Sequence, residues 1–119
     1  MADHNELGKK GEELAVEYLQ QNGYKILETN WTYQKAEIDI IATKEDIIAI
    51  VEVKTRSNLD FGLPQDFVNQ KKIQLLIKAV NAYINYREID FEVRFDIVAI
   101  HKKKESFVIE HLIDAFYHF

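Results

Sequence analysis

The chain predicts an α/β domain with a mixed central sheet flanked by helices, on three observations. Residues 6 to 22 and about 66 to 86 repeat apolar side chains at the 3.6-residue period of a helix. Between them, Ile38-Asp39-Ile40-Ile41 and Ile48-Ala49-Ile50-Val51 are apolar and β-branched enough for buried strands. Turn residues separate these segments at short intervals. The order is helix, three strands, helix, two strands, with no repeat or interdomain linker.

In the first helix Leu7, Leu14, Ala15, Tyr18 and Leu19 share one side, and Asn22-Gly23 is a C-terminal stop. Tyr24 to about Tyr33 reads as a strand with Tyr24, Ile26 and Leu27 as its inward candidates. Gln34-Lys35 turn the chain into a second strand, about Glu37 to Thr43. Lys44-Glu45-Asp46 turn it again into a third, Ile47 to Thr55. Residues 57 to 65 carry most of the loop signals. The second helix, about Asp66 to Tyr86, presents Phe67, Val68, Ile73, Leu75, Leu76, Ala79, Val80, Tyr83 and Ile84. Val93 to Ile100 and Phe107 to Leu112 close the chain as strands.

At 119 residues the chain is one domain, 1–119, large enough for a single core. An apolar fraction of 47% with one proline argues for an ordered fold. The lack of cysteine excludes a disulfide framework and thiolate metal sites, and suits the cytoplasm. The polar N-terminus shows no signal peptide, and no apolar run approaches a membrane span, so no membrane partner is expected. A net charge of −5 argues mildly against non-specific nucleic-acid binding. The charge is unevenly spread: the first sixty residues hold twelve acids against seven Lys and Arg, the rest eight against eight.

Carboxylates on such apolar strands are the main chemical signal. A buried charge is costly unless it is paired or holds a metal. Alternation places Ile48, Ile50, Glu52 and Lys54 on one face of the third strand, and Glu37, Asp39 and Ile41 on one face of the second. An even loop between the two strands puts Asp39 across from Glu52, and Glu37 across from Lys54. Opposed carboxylates repel, and Mg²⁺ relieves this while keeping waters for chemistry. Lys54 then stands where an ammonium offsets phosphoryl charge. The Val53 carbonyl is a further candidate ligand. On spacing alone, an ordinary Glu37–Lys54 ion pair with Asp39 and Glu52 solvated competes with this reading.

Further motifs accompany the acids: Gly8-Lys9-Lys10-Gly11-Glu12-Glu13-Leu14-Ala15, Glu37-Ile38-Asp39-Ile40-Ile41-Ala42, Val51-Glu52-Val53-Lys54-Thr55-Arg56, Phe61-Gly62-Leu63-Pro64, Lys72 and Arg94-Phe95-Asp96. Taken in order, they resemble the YraN family of small bacterial proteins across nearly the whole chain. That family resembles the restriction-endonuclease-like superfamily, most closely archaeal Holliday-junction resolvases. The resemblance implies an αβββαβ core and a metal-dependent DNA endonuclease using Mg²⁺, with Mn²⁺ as substitute. It implies Asp39 and Glu52 as direct ligands, Glu12 as an acid acting through water, and Lys54 as the catalytic lysine. Ala36 stands where the family usually has glycine, which would strain the turn if that position needs φ > 0.

Glu37 is a candidate supporting acid, and Arg56 and Lys72 are candidate phosphate contacts or plain surface cations. Arg94 and Asp96 share a strand face and read as a structural ion pair near the sheet edge. His4, His101, His111 and His118 lack zinc spacing and read as surface residues. Trp31, Tyr33, Phe61 and Phe116 read as packing residues before base-stacking ones. The loop from Ser57 to Gln65 is the expected substrate contact. Cutting both strands of a duplex would call for a homodimer. A nucleic-acid-binding or protein-interaction module with little or no hydrolysis is the alternative function.

Overall fold

A computed structural model describes residues 2–57 and 70–115, with side chains from residue 6 onward. The elements are α1 (Ala2–Gln21), β1 (Lys25–Tyr33), β2 (Ala36–Lys44), β3 (Ile47–Arg56), α2 (Gln70–Arg87), β4 (Glu92–Lys103) and β5 (Ser106–Leu112). The αβββαβ core follows the predicted order, and β5 completes the sheet. Helix α1 starts at Ala2 rather than residue 6. The Phe61-Gly62-Leu63-Pro64 motif, most of the Ser57 to Gln65 loop and the start expected for α2 lie outside the described residues.

Five strands form one sheet in the order β1-β2-β3-β4-β5. Three neighbouring pairs are antiparallel, and β3 with β4 is parallel, because α2 carries the chain back between them. Ala15 and Leu19 of α1 pack on one face against Ile40, Ala42, Ala49, Val51, Val98 and Ile100. Ile73, Leu76, Ala79, Val80 and Tyr83 of α2 pack on the other against Ile38, Ile41, Ile48, Ile50 and Ile97. Each isoleucine so enclosed stabilises the fold by about 1.5–3 kcal/mol. Among the described residues no helix is long and apolar enough to cross a membrane.

Local signals set the boundaries. After α1, the Tyr24 N–H donates to the Leu19 carbonyl and the Gly23 N–H to that of Gln20, with Gly23 at φ 90°. This is a Schellman termination, and Tyr24 folds back onto the core beside Leu19. Helix α2 ends the same way with Glu88 in the left-handed position, φ 54°, where glycine would be cheaper. Hairpins β1–β2 and β2–β3 both close through two-residue turns, Gln34-Lys35 and Glu45-Asp46. Their left-handed residues are Gln34 and Glu45. Ala36 is buried in the α2-side core and is not among the positive-φ residues, so replacing glycine there strains nothing.

Gly11 marks where α1 meets the sheet most closely. A Cβ at this position would lie 1.9 Å from Thr55 Oγ1 and 2.9 Å from Thr55 Cβ. Glycine to alanine in a helix normally stabilises by about 1 kcal/mol. Here Gly11→Ala is expected instead to lower stability by about 1–3 kcal/mol through overpacking. Denaturant midpoints of the variant and of Gly11→Ala with Thr55→Gly check this: the second change should recover much of the loss.

Candidate metal centre

The β2–β3 ladder runs from Lys44–Ile47 to Ile40–Val51. One more step in the same register brings Asp39 to Glu52, as an even loop requires. The backbone pairing ends there, and Asp39 Oδ2 instead accepts the Val53 N–H at 2.8 Å. Glu37 and Lys54 lie past the end of the ladder, so the expected cross-strand pair between them is not part of it. Lys54 Nζ lies 3.3 Å from Oε1 of Glu52, its neighbour on the same strand face.

Strict alternation fails at Asp39. Ile38 and Ile40 are each 1% exposed, yet Ile38 packs toward α2 and Ile40 toward α1. The strand therefore turns over at Asp39, and the expectation that Glu37, Asp39 and Ile41 share one face is corrected. On β1 the matching break falls at Asn30, φ 50°, between the pairs Thr29–Ile40 and Trp31–Ile38. A twist at this point turns the Asp39 carboxyl out of regular alternation, into the field of acids on both sides of the sheet.

Burial and those acids together raise its pKa. Burial pushes the Asp39 carboxyl up to about 7, the charges of Glu52, Glu12 and Glu37 add to this, and the Val53 N–H opposes it. Among the described residues no cation is ion-paired with Asp39. Glu52, 9% exposed, is held differently. Its Oε1 accepts from Lys72 Nζ at 2.5 Å, alongside Lys54. A cleft of about 360 Å³ opens in front, lined by Lys35, Glu37, Asp39, Glu52, Lys72 and Leu75 among others.

The structure thus brings Asp39, Glu52, Val53 and Lys54 together. Glu12 stands apart, on α1, in a second cleft with Lys9, Glu13, Thr29 and Asn30, and reaches Asp39 through its charge. Among the described residues no three His, Cys, Asp or Glu side chains group as a metal-binding cluster. Two adjacent carboxylates are nonetheless the protein share that Mg²⁺ usually takes. Lys72 is the residue whose role sequence reasoning underweighted. Its signal was topological: a helix that carries the chain back from β3 to a parallel β4 starts near the carboxyl end of β3, where Glu52 lies.

Arg94 and Asp96 form the expected ion pair, but not as a simple edge feature. Asp96 is fully buried on β4, one strand in from the edge. Arg94 grips it from Nε at 2.9 Å and Nη2 at 2.8 Å, His111 Nε2 lies 2.8 Å away, and the Asp114 N–H donates at 3.0 Å. Arg94 also donates to Tyr24 Oη, and Tyr18 Oη lies 3.3 Å from His111 Nδ1. Burial pushes the Asp96 carboxyl up, but the bonds from His111, Arg94 and the Asp114 amide outweigh it and leave the carboxyl below its usual range. His111 is therefore not a surface residue, with only 6% of its side chain exposed. His101 is half-buried, its Nδ1 enclosed without a hydrogen-bond partner. His118, Phe61, Phe116 and the His4 side chain lie outside the described residues.

A two-helix, five-stranded α/β domain with Asp39, Glu52 and Lys54 at the open end of a ladder defines a small protein with a candidate metal centre. The chain belongs to the uncharacterised protein family UPF0102, whose model matches residues 11–100; this is the YraN family its motifs resemble. It is similar to UPF0102 proteins of Flavobacterium johnsoniae, at 73% identity, and Flavobacterium psychrophilum, at 66%, each over the whole of both chains. It is also 51% identical to a UPF0102 protein of Parabacteroides distasonis, over 98% of this chain and 97% of the relative.

Half-buried Asp39 and fully buried Asp96 should respond oppositely to substitution. For Asp39 the folded pKa lies above the ordinary 3.8, so metal-free protein loses stability as pH rises from about 4 to about 7. The loss is at most roughly 4 kcal/mol. Asp39→Asn keeps an acceptor for Val53 and is expected to exceed the parent in stability at pH 8 but match it at pH 4. For Asp96 the lowered pKa gives stability that persists through neutral pH and disappears in acid. Asp96→Asn is expected to cost about 3–5 kcal/mol at pH 7 by leaving Arg94 uncompensated. Thermal melts across pH in chelator check both.

Proposed function

We propose that this protein is a metal-dependent endonuclease that hydrolyses phosphodiester bonds in DNA, with branched or repair intermediates as substrates. One observation carries the reading: Asp39 lies beside Glu52 at the end of the β2–β3 ladder, with Lys54 and Lys72 at the same carboxylate and a cleft in front. The two acids offer hard oxygen donors suited to Mg²⁺ or Mn²⁺. Such an ion, when bound, supplies an activated water and neutralises charge building up on the phosphate.

The chain's own groups do the remaining work. The Val53 N–H fixes Asp39 through Oδ2 and leaves Oδ1 for a ligand. Glu52 provides the second carboxylate, and the Val53 carbonyl and Glu12, through water, complete the donor set. Lys54 orients the attacking water and offsets phosphoryl charge. Lys72 shields Glu52 until substrate and cation displace it. A second reading, a binding module without hydrolysis, is favoured by the Lys72–Glu52 contact, which satisfies that acid without any ion.

Plasmid and branched DNA incubated with Mg²⁺ or Mn²⁺ test the site. The parent is expected to cleave, and Glu52→Ala and Lys54→Ala to lose about a hundredfold or more in rate. Cleavage that persists unchanged in both variants would refute the site, and none by the parent on any substrate would favour the binding module. Ligation also competes with protonation. Mg²⁺ should therefore raise the melting temperature more at pH 8 than at pH 5, and the effect should vanish in Asp39→Asn.

A further inference from the structure

The cleft at the acid pair does not stand alone. On the other side of Lys35, a second cleft of about 420 Å³ is lined by Tyr33, Gln34, Lys78, Asn81, Ala82 and Asn85. Gln34 of this cleft and Lys35 of the first are consecutive residues of the β1–β2 turn. On α2, Lys72, Leu75, Lys78, Ala82 and Asn85 succeed one another at three- or four-residue steps, which is one stripe of a helix. The two clefts therefore lie end to end along α2 beside the β1–β2 turn and trace one groove-like path. From Lys72 to Asn85 it runs about 20 Å along the helix.

Its chemistry changes along its length. The acids Glu37, Asp39 and Glu52 are confined to one end, and the lining of the other half holds amides, an aromatic ring and Lys78. Lys35 and Lys78 are exposed and not ion-paired among the described residues. The Tyr33 ring lies parallel to Trp31, 7° between planes and 6.1 Å between centroids. Trp31 in turn meets buried Tyr83 edge-on at 5.1 Å. A ring backed in this way is already ordered, so stacking a further ring on it costs little additional entropy. The exposed apolar side chains of α2, Ile77 and Tyr86, do not line the groove, which argues against an apolar protein segment as its occupant.

We propose that this groove receives unpaired nucleotides of DNA, continuous with the strand that reaches the acid pair. One base stacks on Tyr33, Asn81 and Asn85 hydrogen-bond to base edges or sugar, and Lys35 and Lys78 neutralise phosphates. The proposal rests on the nuclease reading for the strand's path into the acid pair. It names the substrate feature to be recognised: a duplex with a single-stranded branch or tail.

Fluorescence anisotropy with Ca²⁺ in place of Mg²⁺ tests it, on a labelled blunt duplex and the same duplex carrying an unpaired tail. The parent is expected to bind the tailed form about tenfold more tightly. Tyr33→Ala should remove about tenfold of that affinity, as loss of one stacked base implies, while Tyr33→Phe retains it. Lys78→Glu should weaken tail binding and flatten its salt dependence. Blunt-duplex affinity should stay unchanged in all three. Equal parent affinity for both forms overturns the proposal, and so does full tail preference in a folded Tyr33→Ala protein. Cleavage is not read in this assay. A protein that prefers tails but cuts nothing with Mg²⁺ refutes the nuclease reading alone, and one that cuts without tail preference refutes the groove alone.

Discussion

The hydrogen bond from the Val53 N–H to Asp39 Oδ2 is the contact on which the site depends. Up to Ile40 and Val51 the strands β2 and β3 join through their backbones. At the next step a side chain takes over, and the strands no longer have to run side by side. That change from ladder to side chain opens room for a cleft, keeps Asp39 in one orientation, and sets it next to Glu52. A regular hairpin continued for two more residues would have closed the same space.

A fully buried and a half-buried aspartate on one sheet show how environment divides structural from chemical roles. Asp96 is enclosed by Arg94, His111 and a backbone amide, and every neighbour favours its charge. Asp39 has one amide and three acidic neighbours, and its charge is opposed. The first arrangement cements β4 to β5 and to the residues after it. The second leaves an electrostatic deficit that the fold itself does not correct, which is the condition under which a bound cation contributes most.

Most of the architecture was legible because its signals are local. Helical periodicity marked both helices, Asn22-Gly23 marked a stop, and Gln34-Lys35 marked the first turn; the second, read as Lys44-Glu45-Asp46, is one residue shorter because Lys44 pairs with Ile47. The register between Asp39 and Glu52 followed only from expecting an even loop, which the pairing of Lys44 with Ile47 supplies. What escaped was non-local. Alternation could not foresee the twist at Asp39, because its counterpart is Asn30 on another strand. Nothing near Lys72 indicated Glu52 as its partner, twenty positions earlier in the chain. His111 read as a surface residue because Asp96, Arg94, Tyr18 and Tyr24, which enclose it, come from three other parts of the sequence.

The absent side chain at Gly11 has a mechanical effect on the opposite face of the sheet. Thr55 is pressed by α1 from behind, while Lys54, the preceding residue, points forward to Glu52. A strand gripped at one residue cannot rotate about its axis without carrying the next one with it. The clearance at Gly11 therefore sets the depth at which α1 seats and the angle at which β3 presents its lysine. It also sets how close Glu12, the next residue on the helix, brings its charge to Asp39. Lysine aim and aspartate acidity share a single adjustment, located where no reacting group stands.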